Sequence, residues 1–106
     1  MNTKFTKGKW KADLKSLASI NCGEKHIAMV NYFNTHNKDN CVNEAECVAN
    51  AHLMATAPNM YAEIQSDIEE LEDKLFDVSK VSGDYDFIVG RIKHKESLLA
   101  KARGEL

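Results

Sequence analysis

The most regular pattern in this sequence is a heptad-like spacing of apolar residues in its second half. Apolar side chains recur at alternating intervals of three and four residues from residue 54 to residue 78, and again from residue 85 to residue 102. This spacing places them on one face of a helix, so it predicts two helices, each with an apolar seam. The first seam comprises Met54, Ala57, Tyr61, Ile64, Ile68, Leu71, Leu75 and Val78, and the second comprises Tyr85, Ile88, Ile92, Lys95, Leu99 and Ala102.

Several residues indicate where these helices begin and end. Asn43 is a good N-cap for the first helix, and Glu46 follows at the spacing of a capping box. Pro58 lacks a backbone N–H, so we expect a kink there or a new helix starting near it. Gly83 is expected to end the first helix in the left-handed conformation, with Asp84 capping the second. So short a turn between two seams predicts antiparallel neighbours.

The pattern between residues 10 and 33 is typical of short strands instead. Ser16–Ile20 leads into Asn21-Cys22-Gly23, where Asn and Gly tolerate the positive φ that tight turns need. His26–Phe33 follows with apolar residues on both faces, which indicates a strand covered on both sides or covered in part by a partner. Residues 34–43 are rich in Asn and predict a loop.

Together these elements predict an α+β fold, with a small N-terminal antiparallel β-sheet (residues 10–33) followed by a long antiparallel helical hairpin (residues 43–104). The chain has 106 residues, which suits a single domain over residues 1–106. A domain of this size has a modest core, and a two-helix hairpin leaves apolar surface over. We therefore expect the chain to pair with itself, as a homodimer or a higher oligomer.

Charge is distributed unevenly along the chain. The net charge is −2, so no overall field draws the chain onto duplex nucleic acid. Residues 63–77 carry seven acids against Lys74 alone, and residues 91–103 carry five bases against Glu96 alone. The acidic run is either a solvated helix face paired with the basic helix, which is the commoner case, or a mimic of nucleic acid. No apolar run approaches the length of a membrane span, so we expect no membrane partner.

The sequence offers little to suggest catalysis or metal binding. Cys41, Cys47 and His52 lie close together with His36 upstream, but their spacings match no standard zinc pattern. No Gly-flanked nucleophile or P-loop is present, so we expect a protein that is not an enzyme, with no catalytic residue, metal or cofactor. An odd number of cysteines and an N-terminus without an apolar signal segment favour a reduced, cytoplasmic protein.

The basic helix and the end of the last strand supply candidate ligand contacts. Arg91 lies near the start of its helix, where a cation opposes the helix dipole, so we expect it to serve a ligand phosphate. Lys95 is the polar member of the second seam. We expect its ammonium to contact an acid or a ligand phosphate, or else to extend into solvent. Tyr32, beside the Asn-rich loop, is expected to stack on a base or ring, whereas Phe33 is expected in the core.

Residues 44–61, EAECVANAHLMATAPNMY, resemble a pattern common in small phage and prophage proteins, which runs roughly EAEANARLIAAAPELLEAL. The ending at residues 97–104 is similar to the C-terminus of those proteins, and residues 8–11 and 26–30 fit their opening and their strand more loosely. The sequence departs from the pattern at His52, where the family often has Arg, and it lacks an opening Pro.

The resemblance implies a phage accessory protein, and the Thoeris anti-defence proteins look nearest among proteins with strands followed by two long helices. It implies sequestration, without catalysis, of a nucleotide immune signal of the cyclic ADP-ribose type or a cyclic oligonucleotide, between subunits in the cytoplasm of the infected host. Asn50 lies in the family-like segment and is kept as a ligand candidate with Arg91, Tyr32 and Lys95. One alternative is an inhibitor that contacts a host defence complex such as CRISPR-Cas, and another is a dimeric accessory module.

Overall fold

The computed structural model describes residues 4–14, 18–30, 44–78 and 80–105. In chain order these residues form three strands and two helices, β1 (Lys11–Asp13), β2 (Ser19–Cys22), β3 (Lys25–Met29), α1 (Glu44–Leu75) and α2 (Gly83–Ala102). The predicted α+β class, a small antiparallel sheet followed by two packed helices, is confirmed.

The chain divides into two compact units. The sheet unit is Thr6–Pro58, and the hairpin unit is Asn59–Leu106 together with the start of the chain as far as Phe5. Helix α1 contributes to both units, because it runs from Glu44 to Leu75 without a break at Pro58. The alternative of a new helix starting near Pro58 is therefore wrong, while the single domain over residues 1–106 stays a prediction.

The sheet is antiparallel, with the strands in the order β1-β2-β3. Cys22 pairs with Lys25, so the turn consists of Gly23 and Glu24, later than the predicted Asn21-Cys22-Gly23. Gly23 has a φ of 60°, and a left-handed glycine at the first central position is characteristic of a type II′ hairpin turn. Asn21 and Cys22 therefore belong to β2, because their backbones are committed to pairing.

The core of the sheet unit centres on Ile20, which is completely buried. Ala12 and Ala28 pair with Ile20 across the two neighbouring strands and pack against the same cluster. Helix α1 closes this cluster with Cys47 and Ala51, both buried, and the Cys47 thiol donates a hydrogen bond to the Val30 carbonyl at 3.2 Å.

This packing determines which face of the first part of α1 is buried. Cys47, Ala51 and Ala55 pack in the core of the sheet unit, whereas Met54 and Ala57 are exposed. Including Met54 and Ala57 in the first seam was therefore wrong. Here the sheet buries a different helix face from the one that the apolar spacing indicated.

The hairpin unit is built on the predicted seam from Tyr61 onward. Tyr61 and Ile68 of α1 are buried together with Ile92 and Leu99 of α2. Cross-helix contacts join Tyr61 to Arg103 and Asp67 to Lys95, so the residue numbers rise on one helix as they fall on the other. The two helices are therefore antiparallel. Around the four buried residues pack Phe5, Ile64, Leu71, Leu75 and Ile88.

The two ends of α2 are capped by different devices. Ser82, in extended conformation, accepts a hydrogen bond from the Asp84 N–H at 3.0 Å and is the N-cap. The predictions that Gly83 ends the first helix in the left-handed conformation and that Asp84 is the cap are therefore wrong. Helix α1 ends at Leu75, so Val78 of the first seam lies beyond it, and Gly83 is the first residue of α2. At the other end Gly104 has a φ of 78°, and the N–H groups of Gly104 and Glu105 donate to the carbonyls of Lys101 and Ala100. This is a Schellman motif. The predicted N-cap of α1, Asn43, lies outside the described residues.

Two adjacent leucines test the seam. Leu99 is 5% exposed and Leu98 is 40% exposed. We expect Leu99→Ala to lower the free energy of unfolding by about 2–4 kcal/mol, because it leaves a cavity between the helices. Leu98→Ala should cost less than about 1 kcal/mol in a dilute sample. Urea denaturation of both variants measures the difference, and equal effects would contradict this account of the seam.

Two glycine substitutions should have opposite effects. Gly104→Ala places a Cβ at a left-handed position and should destabilise the protein by about 1 kcal/mol. Gly90 lies inside α2, where a Cβ would meet no atom of its own chain within 4 Å, so in a dilute sample Gly90→Ala should raise stability by up to about 1 kcal/mol. Thermal unfolding of the two variants in parallel checks both signs. Destabilisation by Gly90→Ala would mean that its Cβ has a steric neighbour.

Candidate functional site

Helix α2 carries a second row of residues at alternating intervals of three and four, displaced by one position from its apolar seam. All six members of this row are exposed. We call them the outer face of α2, and they are Asp84, Phe87, Arg91, His94, Leu98 and Lys101. This face was not predicted from the sequence. Spacing alone could not single it out, because every position of a helix starts such a row, and only Phe87 and Leu98 in this row are apolar.

A shallow groove of about 360 Å³ lies along α2, and its described lining residues all belong to that helix. Phe87 lies in this lining with 66% of its surface exposed. The guanidinium carbon of Arg91 lies 5.9 Å from the centroid of the Phe87 ring, within the range of a cation–π contact. The groove therefore combines an accessible aromatic ring with a guanidinium that the ring positions. The lining comprises Asp86, Phe87, Gly90, Arg91, His94 and Lys95.

Two of the predicted ligand residues, Arg91 and Lys95, thus lie in one groove. The Lys95 ammonium donates to the Asp67 carboxylate at 3.1 Å, and its side chain is 17% exposed. Lys95 therefore meets an acid of its own chain, which joins α2 to α1. Arg91 is exposed, so its guanidinium remains the more accessible cation of the two.

The other predicted ligand residues are not brought to this groove by the described structure. Asn50 is exposed on α1 within the sheet unit and is not among the lining residues. Tyr32 lies outside the described residues, as does Phe33. Their roles stay predictions.

Arg103, a further cation of the basic segment, is committed to the hairpin. It donates to the Tyr61 hydroxyl at 2.8 Å and to both carboxylate oxygens of Glu105, at 2.9 and 3.0 Å. The hydrogen bonds to Glu105 and then to Tyr61 hold the pKa of Arg103 above its ordinary value, and the bond from Arg103 lowers the pKa of Glu105. Phe5 packs edge-on against Tyr61, with the ring centroids 5.2 Å apart. Arg103 therefore fastens the end of α2 to α1.

The cysteine and histidine residues considered for a metal site are separated by burial where they are described. Cys47 is buried with its thiol bonded to Val30, whereas His52 is exposed on α1. Cys41 and His36 lie outside the described residues. In the parts of the chain that the structure covers, no three His, Cys, Asp or Glu side chains gather as metal ligands would.

The solvent-facing side of the sheet carries a polar hydrogen-bonded row. The His26 ring nitrogen Nδ1 lies 3.1 Å from the Asn21 amide oxygen, and the Asn21 amide donates to the Ser19 hydroxyl at 3.4 Å. Polar residues are usual on the open face of an antiparallel sheet, so this row indicates a solvated surface. None of the described helices is long and apolar enough to cross a membrane.

Comparison with known proteins identifies a phage family. No curated protein and no solved structure shows a significant match to this chain. The likeness to Thoeris anti-defence proteins therefore stays a prediction. One family model, described as Salmonella phage P22 protein Y8K6, matches residues 1–106. The phage affiliation predicted from residues 44–61 is confirmed, and the chain belongs to the Salmonella phage P22 protein Y8K6 family.

Proposed function

We propose that this phage protein is a counter-defence factor that binds and sequesters a nucleotide immune signal along the groove of α2. The observation that carries the proposal is the pairing of the exposed Phe87 ring with the Arg91 guanidinium in one groove. A nucleotide presents the complementary pair of groups, a flat base and anionic phosphates.

Each half of this pair has a known energetic scale. Stacking of a base on an aromatic side chain contributes about 1–3 kcal/mol, and the contact tolerates different bases because every base has a π-face. An Arg guanidinium binds phosphate oxygens through two parallel N–H donors, which adds orientation as well as affinity. Phe87 and Arg91 therefore suit the nucleotide class without selecting one base.

The charged residues along the groove favour one orientation of a bound nucleotide. Asp86 lies at the N-terminal end of the lining, while His94 and Lys95 lie at the C-terminal end. A phosphate is repelled by the Asp86 carboxylate and attracted by the Arg91 guanidinium, and the His94 ring can donate an N–H to it. We therefore expect the base over Phe87 and the phosphates between Arg91 and His94.

Sequestration is part of the proposal because a ring and a guanidinium hold a base and a phosphate by stacking and hydrogen bonding, without a bond being broken.

A second function, inhibition of a host defence complex by protein contact, is supported by one separate observation. Phe76, in the turn after α1, is 88% exposed. Val81, in the same connection between the helices, is 96% exposed, and exposed apolar patches often mark protein interaction surfaces. Phe76 is not among the residues that line the α2 groove, so the two functions can be separated by substitution.

Calorimetry of the full chain against cyclic ADP-ribose isomers and cyclic oligonucleotides tests the first proposal. We expect one member of the panel to bind and to be recovered unchanged. Arg91→Ala should weaken binding by roughly ten- to a hundredfold, because a charged hydrogen bond contributes about 1.5–3 kcal/mol. Arg91→Lys should fall between, since it keeps the charge and loses the paired donors.

Lys93→Ala is the matched control, because Lys93 is an exposed cation of α2 outside the groove lining. It should bind as the unaltered chain does. No heat with any ligand would refute nucleotide binding. Recovery of a host protein complex by the unaltered chain but not by Phe76→Ser would then favour the second function.

A further inference from the structure

The outer face of α2 has the spacing of a helix–helix interface but faces solvent. Its six positions have the a/d spacing over almost the whole helix, and two of them, Phe87 and Leu98, are exposed apolar residues among charged and polar ones. Heptad spacing keeps one stripe of side chains aligned with a neighbouring helix. The seam of α2 already serves α1, so the outer face is available to another helix.

The groove along this face is incomplete as a ligand site. Its described lining comes from one helix, and one helix surface leaves most of a bound nucleotide in water. Sites for small molecules usually bury most of the ligand. A covering surface is therefore required for tight sequestration.

The order of residues on the outer face specifies a second copy of the same helix, running in the opposite direction. In an antiparallel pair related by a two-fold axis, the first residue of one face lies opposite the last residue of the other. Asp84 then faces Lys101 of the second copy, and Phe87 faces Leu98 of the second copy. An acid meets a base and an apolar residue meets an apolar residue, and the two-fold axis repeats both contacts.

A parallel pair would have the opposite energetics. Each residue would then face its own counterpart, so Asp84, Arg91 and Lys101 would each meet a like charge. Like charges directly opposed are unfavourable and are a common means of excluding a wrong partner or orientation. Charge complementarity therefore selects the antiparallel arrangement.

We propose that two copies of this chain pair antiparallel through the outer faces of α2, and that the second copy completes the nucleotide groove. The ligand part of this inference rests on the proposed function, whereas the pairing does not. At the centre, Arg91 of each copy lies opposite His94 of the other. The pairing thus gathers the Arg91 guanidinium and the His94 ring of both copies, and a phosphate group offsets the two guanidinium charges.

Gly90 fits this arrangement. It lies beside Arg91 in the groove lining, and no atom of its own chain would contact a Cβ there. A glycine inside an exposed helix costs about 1 kcal/mol relative to alanine. Because glycine has no side chain, another helix can approach the backbone closely at Gly90. Packing within the chain itself does not require a glycine there.

Sedimentation velocity of the full chain over a range of concentrations tests the pairing through a charge swap. Asp84→Lys alone and Lys101→Asp alone each place like charges opposite one another twice per dimer, and each should weaken the dimer about tenfold. The double variant restores opposite charges and should recover most of that loss. A parallel pair would gain nothing from the double variant.

Two further variants keep the test decisive if the charge swaps weaken the ends of α2. Phe87→Ala leaves both ends unchanged and should weaken the dimer about a hundredfold, because the ring is lost twice per dimer. Lys93→Asp makes the same change of charge as Lys101→Asp but lies off the outer face, so its dimer should match that of the unaltered chain. Circular dichroism verifies that each variant remains helical.

The pairing is overturned if the chain is monomeric at all concentrations, or if Phe87→Ala and the single swaps leave the dimer unchanged. It is also overturned if the folded double variant is no better than the singles. Sodium pyrophosphate tests the shared anion site, and we expect it to tighten the dimer several-fold. No effect of pyrophosphate would overturn the shared site. A rescued charge swap with no nucleotide heat would refute the proposed function alone.

Discussion

The apolar seam between α1 and α2 is the contact on which the hairpin unit depends. Tyr61 and Ile68 on one helix and Ile92 and Leu99 on the other are its buried members. Removal of apolar side chains from water is the main favourable contribution to such packing. The Lys95–Asp67 ion pair is partly exposed, so its contribution is small beside that of the seam. Because the seam uses one face of α2, it fixes which face remains for other partners.

The part of the fold that follows from local periodicity was predictable. From Tyr61 to Leu99 the spacing of apolar residues identified the buried positions, since among the described residues this cluster is formed by the two helices with Phe5 alone added. Met54 and Ala57 have the same spacing but are exposed, because the sheet packs on Cys47 and Ala51 instead. The buried face of a helix depends on what lies against it, which periodicity alone does not encode.

Helix ends and the site show a similar division. A turn before the second helix was predictable from Gly83 and Asp84, but the N-cap is Ser82, because the backbone places that residue in extended conformation. The end of α1 at Leu75 was not predicted. Arg91 was selected because it was expected near the start of its helix, and that expectation is wrong: α2 begins at Gly83, so Arg91 lies about two turns inside it, beyond the reach of the dipole. The groove nevertheless contains Arg91. Phe87 was overlooked, because its role follows from a contact with Arg91 one turn away and from exposure that only the folded chain reveals.

Helix α2 has two faces with different partners. Its apolar seam packs on α1. Its outer face carries an acid, two apolar residues and three basic residues, and in an antiparallel pair of these faces the acid lies opposite a base and the apolar residues lie opposite each other. The family assignment shows a phage protein. The proposed nucleotide binding uses the ring and the cations of the outer face, and a second copy completes the site. Nucleotide binding and pairing both require that the outer face of α2 be the contact surface.

Backbone amide NMR of the full chain over a series of concentrations tests that requirement most directly. If the outer faces of α2 pair, resonances between Asp84 and Lys101 shift as the concentration rises, while those of β1, β2 and β3 stay constant. Shifts confined to the sheet unit, or no shift at any concentration, would contradict it.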